Sequence, residues 1–156
     1  GTLRGVNRYL GALALVAALA ACTAEKQPPK FSDTDPCGLV KSGDFDPGPT
    51  GTTLWLPDGS CQLTYGGTSV TVKLLTEKYA DAATALGPEA YGAVVETHQM
   101  TRRCTDASGT VTCDAVVEVE DGQLIGLKVV QRSKDPNFVG QTTQGLAKKA
   151  LERLPK

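Results

Sequence analysis

The sequence predicts an α+β fold: a curved antiparallel meander sheet of about five to six strands, covered on one face by helices. Three observations carry this expectation. Short apolar segments follow one another between residues 52 and 131, separated by turn residues. Within them, Val111, Cys113, Ala115, Val117 and Val119 alternate with Thr112, Asp114 and Glu118, the period of a half-buried strand. The segment 139–154 then switches to a helical period, with Leu146, Ala150 and Leu154 on one stripe.

Residues 1–21 read as a secretory signal. Arg4 and Arg8 precede the apolar run Tyr9–Ala21, which contains no acidic residue and is too short to span a bilayer as a helix. The run ends in Leu19-Ala20-Ala21-Cys22, with small residues before a cleavage point and a thiol after it to accept diacylglycerol. Cys22 is therefore the expected lipid attachment site, and the absence of an initiator Met suggests a clipped start to the precursor. Residues 22–34 are polar with a proline pair and form a tether. A single extracytoplasmic domain is expected over 35–156, placed on the outer face of the cell membrane by the anchor. Removing 1–21 takes away two basic residues and no acidic one, which leaves 14 basic against 17 acidic residues. No basic stripe remains, so nucleic acid is disfavoured as a partner.

The elements of the domain follow in order. Asp35 as a cap with Pro36 at the first helical position opens a short helix over 36–41. Thr52–Leu56 is a strand before the Pro57-Asp58-Gly59 turn, and the lone Trp55 is a core or rim residue. Cys61–Tyr65 and Thr68–Leu75 flank Gly66-Gly67, and a two-residue loop sets Leu63 opposite Val70 and Cys61 opposite Val72. A helix covers 76–86 and stops at Gly87-Pro88. Val94–Cys104, Thr110–Val119 and Gln123–Gln131 complete the sheet. Between the last two, a three-residue loop with Gly122 left-handed sets Val117 opposite Ile125 and keeps both apolar faces together. Asp114 then lies between Arg103 and Lys128, a structural charge ladder.

Five cysteines become four once Cys22 is set aside: Cys37, Cys61, Cys104 and Cys113. An even set in an oxidising compartment reads as two disulfides with three possible connectivities. A two-residue Ser108-Gly109 loop makes 104 and 113 a non-hydrogen-bonded cross-strand pair, close enough to bridge, and leaves Cys37 to Cys61. Without a Cys-x-x-Cys pair, and with His98 as the only histidine, no metal site is expected.

The lipobox, the polar tether, Asp35-Pro36-Cys37-Gly38-Leu39-Val40, Cys61 at a strand opening and Leu146…Ala150-Leu151…Leu154-Pro155 occur together. This combination resembles a family of small actinobacterial lipoproteins classed as a domain of unknown function, over nearly the whole mature chain. It is distantly similar to the extracytoplasmic sensor domains of mycobacterial Ser/Thr kinases. The resemblance implies a curved antiparallel sheet with helices and a binding or sensing role, with no catalytic set to carry over. The tryptophan common after the second cysteine in that family is absent; Leu63 and Tyr65 occupy the strand.

The expected function is a membrane-anchored binding or sensing module for an envelope protein, a glycan or a small amphipathic ligand. A carrier of a lipid or other hydrophobic ligand is the alternative, which requires an apolar cavity between sheet and helices. An enzyme ranks third, and no cofactor is expected. With Cys104 opposite Cys113, the face of strand 94–104 that meets Ala115, Val117 and Val119 carries His98, Met100 and Arg102. These three form the candidate ligand site, since cationic groups on an apolar face need either internal partners or an open cleft.

Overall fold

The computed structural model describes residues 31–45 and 51–155. Positions 1–30, including the expected signal segment, Cys22 and most of the tether, lie outside the described residues. The described chain forms seven strands in one antiparallel sheet: β1 Gly51–Trp55, β2 Cys61–Tyr65, β3 Thr68–Leu75, β4 Tyr91–Val95, β5 His98–Ala107, β6 Thr110–Glu120 and β7 Gln123–Arg132. Helices α1 (Tyr79–Ala85) and α2 (Pro136–Arg153) pack against it.

The strand order is β1-β2-β3-β7-β6-β5-β4, so the sheet is two meanders joined side by side rather than one. The first runs β1 to β3 and the second β4 to β7; β3 and β7 pair at the seam, Thr68 with Gln131 through Leu75 with Leu124. A chain leaving β3 must cross β7, β6 and β5 to start β4 at the far edge. Segment 76–90, with α1 in it, makes that crossing over one sheet face.

The expected arrangement of helices on one face is therefore corrected. Alternation along β6 decides the sides. Val111, Cys113, Ala115, Val117 and Val119 belong to a core with Val139, Leu146, Ala147, Ala150 and Leu154, so α2 covers the odd-numbered face. Val116, with Leu124 of β7, packs against Ala82 of α1 on the opposite face. The sheet is also not strongly curled, in contrast to the curvature expected.

Strand number is the second correction. The single expected strand over 94–104 is a hairpin, with Val95 paired to His98 across Glu96-Thr97. Both turn residues take left-handed backbone, φ 48° and 71°, without the Gly or Asn that marks such a turn in sequence. The other registers stand as expected: Leu63 with Val70, Cys61 with Val72, Cys104 with Cys113, and Val117 with Ile125. A one-residue irregularity between Glu118 and Glu120, with Gly122 at φ 74°, absorbs the extra residue of the β6–β7 connection.

The short helix expected over 36–41 is a 3-10 turn, Pro36–Gly38, capped by Asp35 onto the Cys37 amide at 2.8 Å. It delivers Leu39 and Val40 into the core. Another 3-10 turn spans Ser42–Asp44. Helix α2 starts three residues before the expected 139, because Asp135 and Pro136 repeat the cap-and-proline chemistry of Asp35 and Pro36. The Asp135 carboxylate accepts from the Phe138 amide at 2.8 Å.

Candidate functional site

Both expected disulfides are present, Cys37–Cys61 and Cys104–Cys113, with Cα separations of 5.2 and 4.0 Å. The first ties the Pro36–Gly38 turn to β2; the second crosses β5 and β6. Among the described residues, no group of three or more His, Cys, Asp or Glu side chains is placed to hold a metal ion. No helix among them is long and apolar enough to cross a membrane.

His98, Met100 and Arg102 do share one face of β5, with Met100 paired to Val117 and Arg102 to Ala115. Met100 is buried, whereas His98 and Arg102 are partly buried and have partners within the protein. Met100 is fully buried and belongs to the core under α2. His98 Nδ1 lies 2.8 Å from the Glu118 carbonyl oxygen, which can only accept, so the ring donates from that nitrogen. Arg102 donates from Nε to the Tyr91 hydroxyl at 3.0 Å and stacks on that ring, 4.9 Å from its centre. Its Nη1 donates to the Gly140 carbonyl oxygen and to Gln144 Oε1. A Cβ on Gly140 would stand 3.1 Å from the Arg102 guanidinium carbon, so the glycine lets the cation approach α2. Arg102 thus fastens β5 to α2.

Open space lies beside the same N-terminal half of α2, at Phe138, Thr142 and Gly145. A cleft of about 460 Å³ is bounded by Asp44 and Phe45, the β2–β3 turn at Gly67, Thr68, the end of β7 and the α2 residues Phe138, Thr142 and Gly145. Thr68 and Gln131 are cross-strand neighbours, and Gln131 Nε2 donates to Thr68 Oγ1 at 2.9 Å. Both side chains are buried, with Gln131 only 4% exposed. Gln131 Oε1 has no hydrogen-bond partner among the described residues. Such an unmade bond costs about 1–3 kcal/mol.

Two of the described lining residues are aromatic. Phe45 is buried edge-on against Tyr65, at 5.9 Å between ring centres. Phe138 is 45% exposed, and Lys134 Nζ sits 4.9 Å from the centre of its ring. The one carboxylate among the described lining residues is already engaged: Asp44 Oδ1 accepts from Arg153 Nη2 at 2.7 Å, and Oδ2 from Arg153 Nη1 and the Lys41 amide. The hydrogen bond from Arg153 holds the Asp44 carboxyl below its ordinary value, and the Lys41 amide adds to this. Arg132 and Lys134 make no ion pair among the described residues.

A second hollow of about 460 Å³ lies on the α1 face, over Leu75, Leu86, Val116 and Gly126. Its charges are mutually satisfied, Lys73 with Asp58 at 3.4 Å and Lys128 with Asp114 at 4.0 Å. Arg103, across the ladder from Asp114, turns instead to the Leu86 carbonyl oxygen at 3.1 Å.

Sequence reasoning did not single out Gln131, although a signal existed. Ile125, Leu127 and Val129 alternate on the buried face of β7, and the next position in that series is a glutamine. The convergence of Thr68, Phe45 and Phe138 on it depends on the β3–β7 seam and the placement of α2. No family model matches the chain, and no curated protein matches it.

Proposed function

We propose that this protein is a lipid-anchored extracytoplasmic module that binds a ligand in the cleft between the β2–β3 turn and the N-terminal half of α2. The observation that carries this reading is the recess itself, about 460 Å³, lined by the buried Thr68–Gln131 pair, by Phe45 and Phe138 and by the exposed Arg132 and Lys134. Binding pockets commonly combine apolar walls with a few convergent polar groups. The address rests on the lipobox ending at Cys22 and on two disulfides, which belong to an oxidising compartment. The resemblance to small actinobacterial lipoproteins and to kinase sensor domains favours the same role. A carrier of hydrophobic cargo is less well supported, because the space between sheet and α2 is filled by Met100, Val117, Ile125, Leu146 and their neighbours.

The site is tested by amide chemical-shift mapping of the protein against a chemically diverse fragment set. Shifts clustered at Gly67, Thr68, Gln131–Lys134 and Phe138 are expected. A fragment set that perturbs only other surfaces, or none, overturns the reading. The anchor is tested separately: Cys22→Ala should abolish lipidation and processing, and normal processing of that variant would refute the address.

A further inference from the structure

We propose that β1 is a self-pairing edge: β1 of one copy pairs antiparallel with β1 of a second copy about a two-fold axis at Thr53, joining the two sheets into one. This goes beyond the binding reading and does not depend on the cleft. Among the described residues β1 pairs only with β2, so its other edge is free. The pairing pattern fixes which groups that edge presents. Tyr65 and Thr68 close the two-residue Gly66-Gly67 loop as a hydrogen-bonded pair, so Tyr65, Leu63 and Cys61 bond towards β3, and Thr64 and Gln62 towards β1. Their β1 partners are Thr52 and Leu54, and the amides and carbonyls of Gly51, Thr53 and Trp55 therefore point away from the sheet. Every residue of β1 is exposed, Leu54 and Trp55 by more than half. The strand contains none of the charges, prolines or bulges that blunt a natural sheet edge.

The strand itself specifies the occupant. Centred on Thr53, two copies set Gly51 opposite Trp55 on both sides of the axis, and every outward amide and carbonyl from 51 to 55 meets one of the other copy. Centres at Thr52 or Leu54 leave some of these groups unmatched. The side chains match as well. Trp55 lies on the α2 face beside Cys61, and so does Gly51, where the Tyr65 ring fills the place a Cβ would take. The indole of one copy then covers Gly51 of the other and meets Tyr65, an aromatic contact across a glycine gap. A two-fold perpendicular to the sheet keeps both α2 faces on one side. Phe31 packs on that face, so both copies begin on the same side, as two chains anchored in one membrane require. The opposite edge, β4, is less open: Gln141, Gln144 and Lys148 of α2 flank it, and Lys148 pairs with Glu96 just beyond its last residue. A five-residue edge falls short of the ~1,200 Å² of a standard interface, so pairing is weak in solution and gains from confinement to a surface.

Trp55 is the one tryptophan of the chain, so its fluorescence reports on the edge directly. The test is sedimentation and Trp55 emission of the full chain, disulfides intact, from about 1 μM to about 1 mM. The mass should double and the emission shift to the blue over the same concentrations. Thr53→Lys sets two like charges against each other on the axis and should weaken association about tenfold, as should Thr53→Glu. Mixing the two variants should restore it, because the opposed charges then attract. Thr53→Pro removes an amide that bonds to nothing within the single copy, so it should abolish pairing while the variant unfolds as cooperatively as wild type. A chain that stays single at about 1 mM, with the emission of an exposed indole, overturns the inference. So does association that is indifferent to charge at position 53, or that mixing fails to restore, since either places the contact elsewhere. If the chain stays single and the edge instead takes up an extended peptide, β1 serves another protein's strand and the inference falls. Fragment binding in the cleft is indifferent to each of these outcomes, so the binding reading stands or falls separately.

Discussion

The two faces of the sheet are built from the same strands and end with opposite characters. On the α2 face, every position of β6 from Val111 to Val119 in the odd series is buried, and the apolar surface runs unbroken from β2 to β5. Both disulfides join that face through Cys61 and Cys113. On the α1 face, among the described residues, only Val116, Leu124 and Ala82 are buried hydrophobics, and the rest of the surface carries Lys73, Asp114 and Lys128. The 18-residue α2 covers one face, whereas the seven-residue α1 is a crossing between meanders that covers part of the other. Stability therefore should be concentrated on one side of a single sheet. The cleft opens where α2 begins, at the margin of the well-packed face.

The sharpest way to break this comparison is a pair of substitutions of unequal cost. Leu146→Ala removes a fully buried side chain from the α2 face and should destabilise by about 4 kcal/mol, within the usual range for a core leucine. A loss below about 1 kcal/mol in urea denaturation would show that this face is not the main source of stability.

The disulfides sharpen the same point. Replacing Cys37 and Cys61 by Ser should cost about 3.5 kcal/mol and replacing Cys104 and Cys113 about 2.7, because the first closes the longer loop, with separations of 24 and 9 residues. Thermal unfolding of the two double variants should preserve that order; the reverse order would mean that the hairpin bridge does more than restrict the unfolded chain. Peptide mapping without reduction should recover only the two pairings described.

The Asp44–Arg153 pair ties the 3-10 turn at 42–44 to the end of α2. Because its carboxyl is held below the ordinary 3.8 in the folded protein, its stabilisation is complete above that value and lost as pH falls through the lower folded value. Asp44→Asn should cost about 1–3 kcal/mol at neutral pH, where it leaves Arg153 without its charged partner. The gap from wild type should close in acid, as the wild-type carboxyl protonates. A gap that persists unchanged to pH 2 would assign the cost to packing rather than charge.

The smallest effect is expected on the α1 face. Lys128 and Asp114 are both about half exposed, so Lys128→Ala should change stability by less than about 1 kcal/mol, and less again in high salt. A loss comparable to that of Leu146→Ala would erase the distinction between the faces.

Local rules made much of this architecture legible. The β2–β3 and β6–β7 registers follow from matching apolar faces across short loops, and the Cys104–Cys113 bridge follows from counting back from Ser108-Gly109. These depend on residues close in sequence, where the strand period of two and the turn type leave one register that buries the right side. The Glu96-Thr97 turn escaped because its left-handed backbone is held by residues that do not advertise it. The start of α2 was legible in Asp135-Pro136, by the reasoning already applied to Asp35-Pro36.

By itself, then, the sequence determined the α+β class, the strand faces and the cysteine pairing. Tertiary structure alone decided that β3 pairs with β7, that α1 crosses on the face opposite α2, and that Asp44 meets Arg153. It also decided that Arg102 fastens to Gly140 and that Gln131 lies against Thr68 beside Phe138. The physical reason is range. A turn or an alternation is chosen by interactions within a few residues, whereas the seam and the helix sides depend on burying apolar surface shared by segments from 34 residues apart (Ala82 and Val116) to 63 (Thr68 and Gln131), with no local energy to mark the choice.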